Sequence, residues 1–229
     1  MIANRISQLP MDDSTNTTKV SQADLAYRLL EEKIVTMEIA PGALLSESEL
    51  AKQLGFGRTP VREALQRLAV EHLVEIMPRR GIRVTDIDIK QQLKLLEVRS
   101  ILEQLNVRVA AVHAEEAIRL RFFEIAKQML ESAEVKDYYG FLRLDSEFNE
   151  LLAQAADNEF SATMLQQMHG LSRRFWHNYY RYEDDLPLVA EIHAAIARAI
   201  AAGDPEAAVE ASQAHMDYIR MFTLAALHK

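Results

Sequence analysis

The segment from residue 46 to residue 68 constrains the fold most, because it places a tight turn between two amphipathic helices. Ala51 is small enough for two helices to cross closely. Gly55, four residues later, can adopt the positive φ that such a turn requires. The second helix has an apolar stripe for burial, formed by Val61, Leu65 and Leu68. This spacing predicts a helix-turn-helix.

The sequence also indicates where the helices around this turn begin and end. Ser46 and Glu49 have the spacing of a capping box, which predicts a helix that Gly55 ends. Thr59 is the predicted N-cap of the next helix, with Pro60 at its first position. An earlier helix is predicted from Ser21 to about residue 37.

The stretch "LVEIMPRRGIRV" follows the second helix and predicts a β-hairpin. Its tip carries Arg79 and Arg80 beside Gly81, so the hairpin is a basic wing. A wing of this kind can reach phosphates or the minor groove of DNA. The sequence therefore predicts an N-terminal winged helix-turn-helix.

Charge is distributed in a way that favours a DNA ligand for this part of the chain. The net charge is −8, which argues against a generally basic nucleic-acid binder. Between residues 55 and 85, however, there are six arginines and only three glutamates. Arg58 and Arg62 are predicted to reach base edges in the major groove, and Thr59 with the helix N-terminus to hold a phosphate. The predicted DNA-contacting residues are Arg58, Thr59, Arg62, Arg67, Arg79, Arg80 and Gly81. The alternative is a small helical domain with a solvated arginine face.

The remaining chain is helical in period, which makes the fold class mainly α, with an all-helical antiparallel bundle after the winged domain. The predicted helices are 88–113, 115–133, 137–156, 159–182, 188–202 and 205–227. Composition changes near "VTDID", so three segments are predicted: a disordered tail over 1–19, a DNA-binding domain over 20–85 and an effector-binding and dimerisation domain over 86–229.

Composition also bears on location. The chain has no cysteine, its N-terminus has no apolar signal core, and no uncharged apolar run is long enough to cross a membrane. We expect a cytoplasmic protein without a membrane partner.

The motif "RTPVREAL" within residues 21–85 resembles the DNA-binding domain of the GntR family of bacterial transcription regulators. The rest of the chain resembles the FadR-type subfamily with its FCD effector domain, through "VRSILE", "LDSEFNELLAQAADN", "EIHAAIARAIAAGDPEAA" and "AHM". This resemblance implies a homodimer on a palindromic operator. It also implies that a small molecule bound in the bundle controls DNA affinity, usually by releasing the DNA and relieving repression.

Three polar residues interrupt the apolar faces of the bundle helices. Asp145 lies in the stripe of helix 137–156, and His193 and His215 lie in the stripes of the last two helices. Burying a charge without a partner costs several kcal/mol, so these groups need partners. One interpretation is a hydrogen-bonded cluster in the core. The other is a divalent metal site.

The resemblance to FCD domains implies a set of metal ligands. The metal-binding FCD domains supply an Asp, a His four residues later and two more His. Here the second position is Asn149, whose amide oxygen is a weaker ligand for zinc or nickel than imidazole. The predicted ligands are therefore Asp145, Asn149, His193 and His215, for zinc, nickel or manganese. His169 is an alternative ligand.

Arg99 is the predicted effector-binding residue. Periodicity predicts a core stripe on helix 88–113 formed by Leu95, Val98, Leu102, Leu105, Val109 and Val112, with Arg99 beside it. The simplest role for Arg99 is an i,i+4 pair with Glu103. The resemblance implies instead that Arg99 binds the carboxylate of a small organic acid.

Two other functions fit parts of the pattern. Asp, His and Arg in one site could form a metal-dependent enzyme, but no second carboxylate is placed as a general base and the chain begins with a DNA reader. Alternatively, the bundle could be metal-free and serve only for dimerisation or as a direct ligand pocket.

Overall fold

A computed structural model describes residues 21–179 and 185–228; the predicted tail over 1–19 lies outside them. The N-terminal domain contains three helices and three strands. They are α1 (Gln22–Val35), β1 (Leu44–Leu45), α2 (Glu47–Leu54), α3 (Arg58–Val70), β2 (Val74–Met77) and β3 (Gly81–Val84). The fold class, a winged helix-turn-helix followed by a helical bundle, is confirmed.

The turn and the wing form as predicted. Gly55 has a φ of 73° at the end of α2, and the stripe Val61, Leu65 and Leu68 is fully buried. Strands β2 and β3 pair antiparallel, with Met77 opposite Gly81. The short β1, which the sequence did not predict, adds to the other edge of β3 in the order β1-β3-β2.

The predicted helix caps need correction. α3 begins at Arg58 with Gly57 as its N-cap, so Thr59 is not the cap and Pro60 lies at the third helical position. Ser46 is the N-cap of α2 but makes no side-chain cap bond. The capping box forms instead at α1, where Ser21 and Asp24 satisfy each other's backbone groups.

The C-terminal part is a bundle of six helices within the described residues. They are α4 (Ile89–His113), α5 (Glu116–Glu134), α6 (Tyr138–Ala156), α7 (Glu159–Tyr179), α8 (Leu186–Ala202) and α9 (Pro205–Ala225), followed by a 3-10 turn over Ala226–His228. The predicted bounds agree within two residues, except that residues 180–182 of the predicted fourth helix fall outside the described chain.

Helix α4 is central to the bundle, but only part of the predicted core stripe on it is packed: Leu95 is buried, whereas three other members are exposed. Val98, Leu105 and Val112 are each more than 40 % exposed. The buried face consists of Gln92, Leu95, Leu96, Arg99, Glu103, Asn106, Val107, Ala110 and Ala111. The helix has apolar residues on more than one face, so periodicity does not identify the packed one. The small alanines face the neighbouring helices and allow close approach.

The bundle core lies between α5 and α8 and between α4 and α9. A separate core in the N-terminal domain joins α1, α3 and the sheet, and Leu95 of α4 and Leu171 of α7 pack against it. Within the described residues, no helix combines the length and apolarity that crossing a bilayer requires.

Candidate functional site

The N-terminal end of α3 presents polar groups to solvent. Arg58 donates to the Ser48 hydroxyl at 2.7 Å, and Thr59 is exposed. Arg62 forms a two-pronged ion pair with Glu47 of α2, with Nη2–Oε2 at 2.9 Å. More than half of the Arg62 side chain is exposed, so this pair contributes little to stability and leaves the guanidinium accessible.

Arg67, one of the predicted DNA-contacting residues, makes contacts within the domain. Its Nη1 lies 2.7 Å from Asp24, and its guanidinium lies over the Tyr27 ring, 4.0 Å from the centroid. Arg67 therefore fastens α1 to α3. A DNA contact by Arg67 stays a prediction.

The wing tip is exposed and shaped by backbone conformation. Arg79 has a φ of 63° and Gly81 a φ of 96°. A Cβ on Gly81 would lie 3.3 Å from the Leu45 carbonyl oxygen, because β1 runs close to β3 there. Arg79, Arg80 and Gly81 all face solvent on the turn between the strands.

In the bundle, the structure brings Asp145 of α6 and His193 of α8 together. Asp145 Oδ1 lies 3.3 Å from His193 Nε2. The other ring nitrogen, Nδ1, lies 2.8 Å from the Val189 carbonyl oxygen and so carries the proton in the neutral ring. Burial disfavours charge on both groups, but their mutual attraction prevails, so the pKa of Asp145 is lowered and that of His193 is raised.

His215 of α9 lies beside this pair, with its ring centroid 4.4 Å from that of His193. Its Nδ1 is buried and has no hydrogen-bond partner among the described residues. Burial and the neighbouring His193 lower the pKa of His215. A buried, unpaired imidazole nitrogen is a costly feature that a ligand or a metal ion would relieve.

Arg99 and Glu103 of α4 form a buried ion pair next to His215. They are 7 % and 9 % exposed, and Arg99 Nε donates to Glu103 Oε1 at 2.8 Å. Glu103 Oε2 lies 3.7 Å from His215 Nδ1, too far for a hydrogen bond. Burial opposes charge on Glu103, but Arg99 and then His215 hold the pKa of the carboxyl well below its usual range.

The two remaining candidates differ in their surroundings. Asn149 donates from Nδ2 to the Asp145 carbonyl oxygen at 2.8 Å, which occupies its amide nitrogen and not its amide oxygen. His169 of α7 is half-buried, and burial followed by the charge of Arg99 lowers its pKa to about 4.

The donor atoms suit a divalent transition metal. Ligand atoms 2.0–2.1 Å from a tetrahedral ion are about 3.3 Å apart, which is the Asp145–His193 separation. The neutral His193 has an unprotonated Nε2, and His215 has an unpaired nitrogen. In the described part of the chain, however, no three acidic, histidine or cysteine side chains are already grouped around one point. A metal would therefore have to draw His215 towards the pair.

Sequence reasoning missed the residue that joins the two domains. Arg174 of α7 is 2 % exposed and binds the interdomain linker, residues 85–88 between β3 and α4. Its Nη1 donates to the Thr85 carbonyl at 3.0 Å and its Nη2 to the Thr85 hydroxyl at 2.9 Å. The Asp86 carbonyl accepts a third bond at 3.3 Å. Its neighbour Arg173 pairs with Glu31 of α1 at 3.1 Å. These contacts are long-range, so no local pattern announces them.

A winged helix-turn-helix with exposed arginines at the start of its second helix, joined to a helical bundle, defines a class of DNA-binding regulator. Comparison with known families agrees with this class. Residues 22–84 match the model for bacterial regulatory proteins of the gntR family, and residues 94–218, more than half of the chain, match the FCD domain. The chain belongs to the GntR family and carries an FCD domain.

Similar proteins in bacteria are named as transcriptional repressors. The chain is 34 % identical over 213 residues to the "Probable D-xylose utilization operon transcriptional repressor" of Paenarthrobacter nicotinovorans, covering 88 % of this chain and 87 % of that protein. It is 29 % identical to the "HTH-type transcriptional repressor RspR" of Escherichia coli K12 over 84 % and 85 % of the two chains.

Solved structures show the same fold. The E. coli McbR/YncC structure superposes with a TM-score of 0.77 at 20 % identity, covering 91 % of this chain and all of that one. A GntR transcriptional regulator from Rhodococcus sp. RHA1 superposes with a TM-score of 0.68 at 23 % identity, covering 90 % and 98 %. As a member of this family, the protein is a DNA-binding transcriptional regulator rather than an enzyme.

Proposed function

We propose that this regulator binds a palindromic operator as a homodimer and that a small organic acid, held in the bundle together with a divalent metal, controls its DNA affinity. The observation that carries the proposal is the buried polar cluster of the bundle, whose Asp145, His193 and His215 converge with Arg99. A core that served only packing would have little use for four such groups.

On DNA, α3 enters the major groove. Arg58 and Arg62 read base edges, Thr59 and the N-terminus of α3 hold a phosphate, and Arg79, Arg80 and Gly81 of the wing contact the backbone or minor groove. In the free protein Arg62 is paired with Glu47, and this ion pair must break when Arg62 binds DNA. Because the ion pair is exposed, breaking it costs about 1 kcal/mol or less.

The exposed apolar face of α4 supports the proposed homodimer. Val98, Ile101, Leu105 and Val112 recur at helical spacing and are 50 %, 72 %, 42 % and 52 % exposed. A stripe of four large apolar side chains on a central helix fits an interface with a second copy. Two copies also supply the two half-sites of a palindrome, whereas one helix-turn-helix reads too short a site.

In the bundle, Asp145, His193 and His215 would hold the metal, with the amide oxygen of Asn149 as a weaker fourth ligand. The bound ion would act as a Lewis acid that attracts the oxygen atoms of the effector. Arg99 would bind the effector carboxylate. A bundle without metal, in which the same cluster binds the acid directly, is the competing form of the proposal.

Helix α7 connects this cluster to the DNA-binding domain. It carries His169 at the cluster, Arg174 at the linker and Arg173 at α1. A ligand that favours one position of α7 would therefore favour one position of the linker and of the recognition helices. Only such unequal binding to two conformations can change DNA affinity.

Gel-shift titration on the operator tests the DNA role. Arg62→Ala should abolish specific binding while leaving the circular dichroism spectrum unchanged. Arg108→Ala is the matched control, because Arg108 is also half exposed and pairs with a glutamate, but lies in the bundle. If Arg62→Ala binds the operator like the native protein, the assignment of α3 is wrong.

Elemental analysis of the purified protein tests the metal. About one equivalent of zinc, nickel or manganese per chain is expected, and His215→Ala should lose it while the exposed His113→Ala keeps it. If neither the native protein nor protein incubated with these ions retains any metal, the metal-free form of the proposal replaces this one.

A further inference from the structure

The carboxylate of Glu103 occupies the Nε–Nη2 edge of Arg99, one of the two edges through which a guanidinium binds a carboxylate. Glu103 Oε1 accepts hydrogen bonds from both Nε and Nη2 of Arg99, and one of these, from Nε, measures 2.8 Å. An acid that binds Arg99 through this edge must therefore displace Glu103.

Glu103 also faces the proposed metal ligands. Its second oxygen, Oε2, points towards His215 and lies 3.7 Å from Nδ1. His215 in turn stacks beside His193, which contacts Asp145. Glu103 therefore lies between Arg99 and the metal ligands, and its charge acts on both.

The charges of this site can be counted. Arg99 contributes +1, Glu103 and Asp145 contribute −1 each, and histidines that ligate a metal are neutral. A divalent ion raises the total from −1 to +1. One carboxylate then neutralises the site, whereas a second carboxylate would be buried without a counter-charge, which is strongly unfavourable.

We propose that Glu103 is an internal carboxylate that competes for Arg99 and restricts the effector to small acids with a single carboxylate. This inference rests on the proposed function of the bundle as an acid-binding site. Without Glu103 the metal-loaded site would carry +2 and would match a dicarboxylate. Glu103 is thus a specificity-determining residue.

A matched pair of probes tests this. Butyrate and succinate have the same four-carbon chain and differ by one carboxylate. Their binding to the metal-loaded, full-length protein is measured by isothermal titration calorimetry. The native protein should bind butyrate at least tenfold more tightly than succinate. In Glu103→Gln, succinate should bind at least tenfold more tightly than it does to the native protein, with a smaller gain for butyrate.

The control is Glu206→Gln, which removes an exposed glutamate from its pair with Arg108 and should leave both affinities unchanged. A native preference for succinate, or an unchanged preference in Glu103→Gln, overturns the role of Glu103. If Glu103→Gln does not fold, the preference of the native protein decides alone.

Failure of the wider proposal has a different signature. If neither acid binds the native protein or Glu103→Gln, although both contain metal and bind the operator, the bundle is not a carboxylate site. The inference about Glu103 then fails with the effector proposal, while the DNA role stands.

Discussion

Replacing Arg174 with methionine tests whether the buried arginine holds the interdomain linker. The change keeps an unbranched apolar side chain but removes two short hydrogen bonds, to the carbonyl and hydroxyl of Thr85, and a longer one to the Asp86 carbonyl. Hydrogen bonds to charged groups contribute about 1.5–3 kcal/mol each, so the two short ones contribute about 3–6 kcal/mol.

Desolvation of the cation offsets part of this gain. Burial lowers the pKa of Arg174 from 12.5 to about 10. At about 1.4 kcal/mol per pKa unit, that corresponds to a penalty of roughly 3 kcal/mol for the charged form. The net expectation for Arg174→Met is a loss of up to about 3 kcal/mol in the free energy of unfolding, measured by urea denaturation with circular dichroism.

The adjacent Arg173→Met is the control. Arg173 is half exposed and pairs with Glu31 and Glu32, so its loss should cost under about 1 kcal/mol. Hydrogen exchange should also accelerate at the Thr85 amide, which donates to the Leu73 carbonyl, in Arg174→Met only. Equal destabilisation by both changes, or unaltered exchange in the linker, would refute the reasoning.

Two further predictions concern conformational strain and pH. Gly203→Ala should destabilise by about 2–4 kcal/mol in urea unfolding. Its φ is 73°, and the new Cβ would lie 2.4 Å from Arg119 Nη1, so the guanidinium would have to leave the Ile200 and Ala111 carbonyl oxygens to which it donates. Gly55→Ala, at the same φ with no atom within 4 Å, should cost only about 1–2 kcal/mol. Equal costs for the two changes would show that the Arg119 hydrogen bonds do not contribute to stability. Burial raises the pKa of Glu71, which accepts from the Tyr27 hydroxyl, to about 7. The folded protein then holds a proton that the unfolded chain releases above about pH 4.5, so the free energy of unfolding should fall as pH rises from 4.5 to 7. Glu71→Gln should flatten that fall, and an identical pH profile would show that Glu71 is not responsible.

The winged domain could be predicted because its signals are local. Gly55 needs no distant partner to adopt a positive φ, and Val61 with Leu65 marks its buried face by spacing alone. Thr59 shows the limit of such reasoning. It has the right chemistry for an N-cap, but the turn after Gly55 is short enough that Gly57 takes that position.

The bundle was less predictable because tertiary packing decides it. On α4, the sequence pattern does not distinguish the exposed Val98 and Val112 from the buried Val107. Contacts with the neighbouring helices decide which face of α4 is packed. Helical periodicity predicted that Asp145 and His193 point into the bundle. The 3.3 Å distance between Asp145 Oδ1 and His193 Nε2, however, depends on how α6 packs against α8.

The length of α4 gives these contacts a mechanical consequence. Its 25 residues span about 37 Å, from the linker at one end to the far end of the bundle. Arg99 lies on one face of the helix and the exposed apolar stripe on another, so α4 would lie between the proposed effector and the proposed second copy. A tilt of about 5° around its C-terminal end displaces its N-terminal end by about 3 Å, close to the 3.4 Å rise of one base pair. In the proposed homodimer, a tilt of this size would put the two recognition helices out of register with their half-sites.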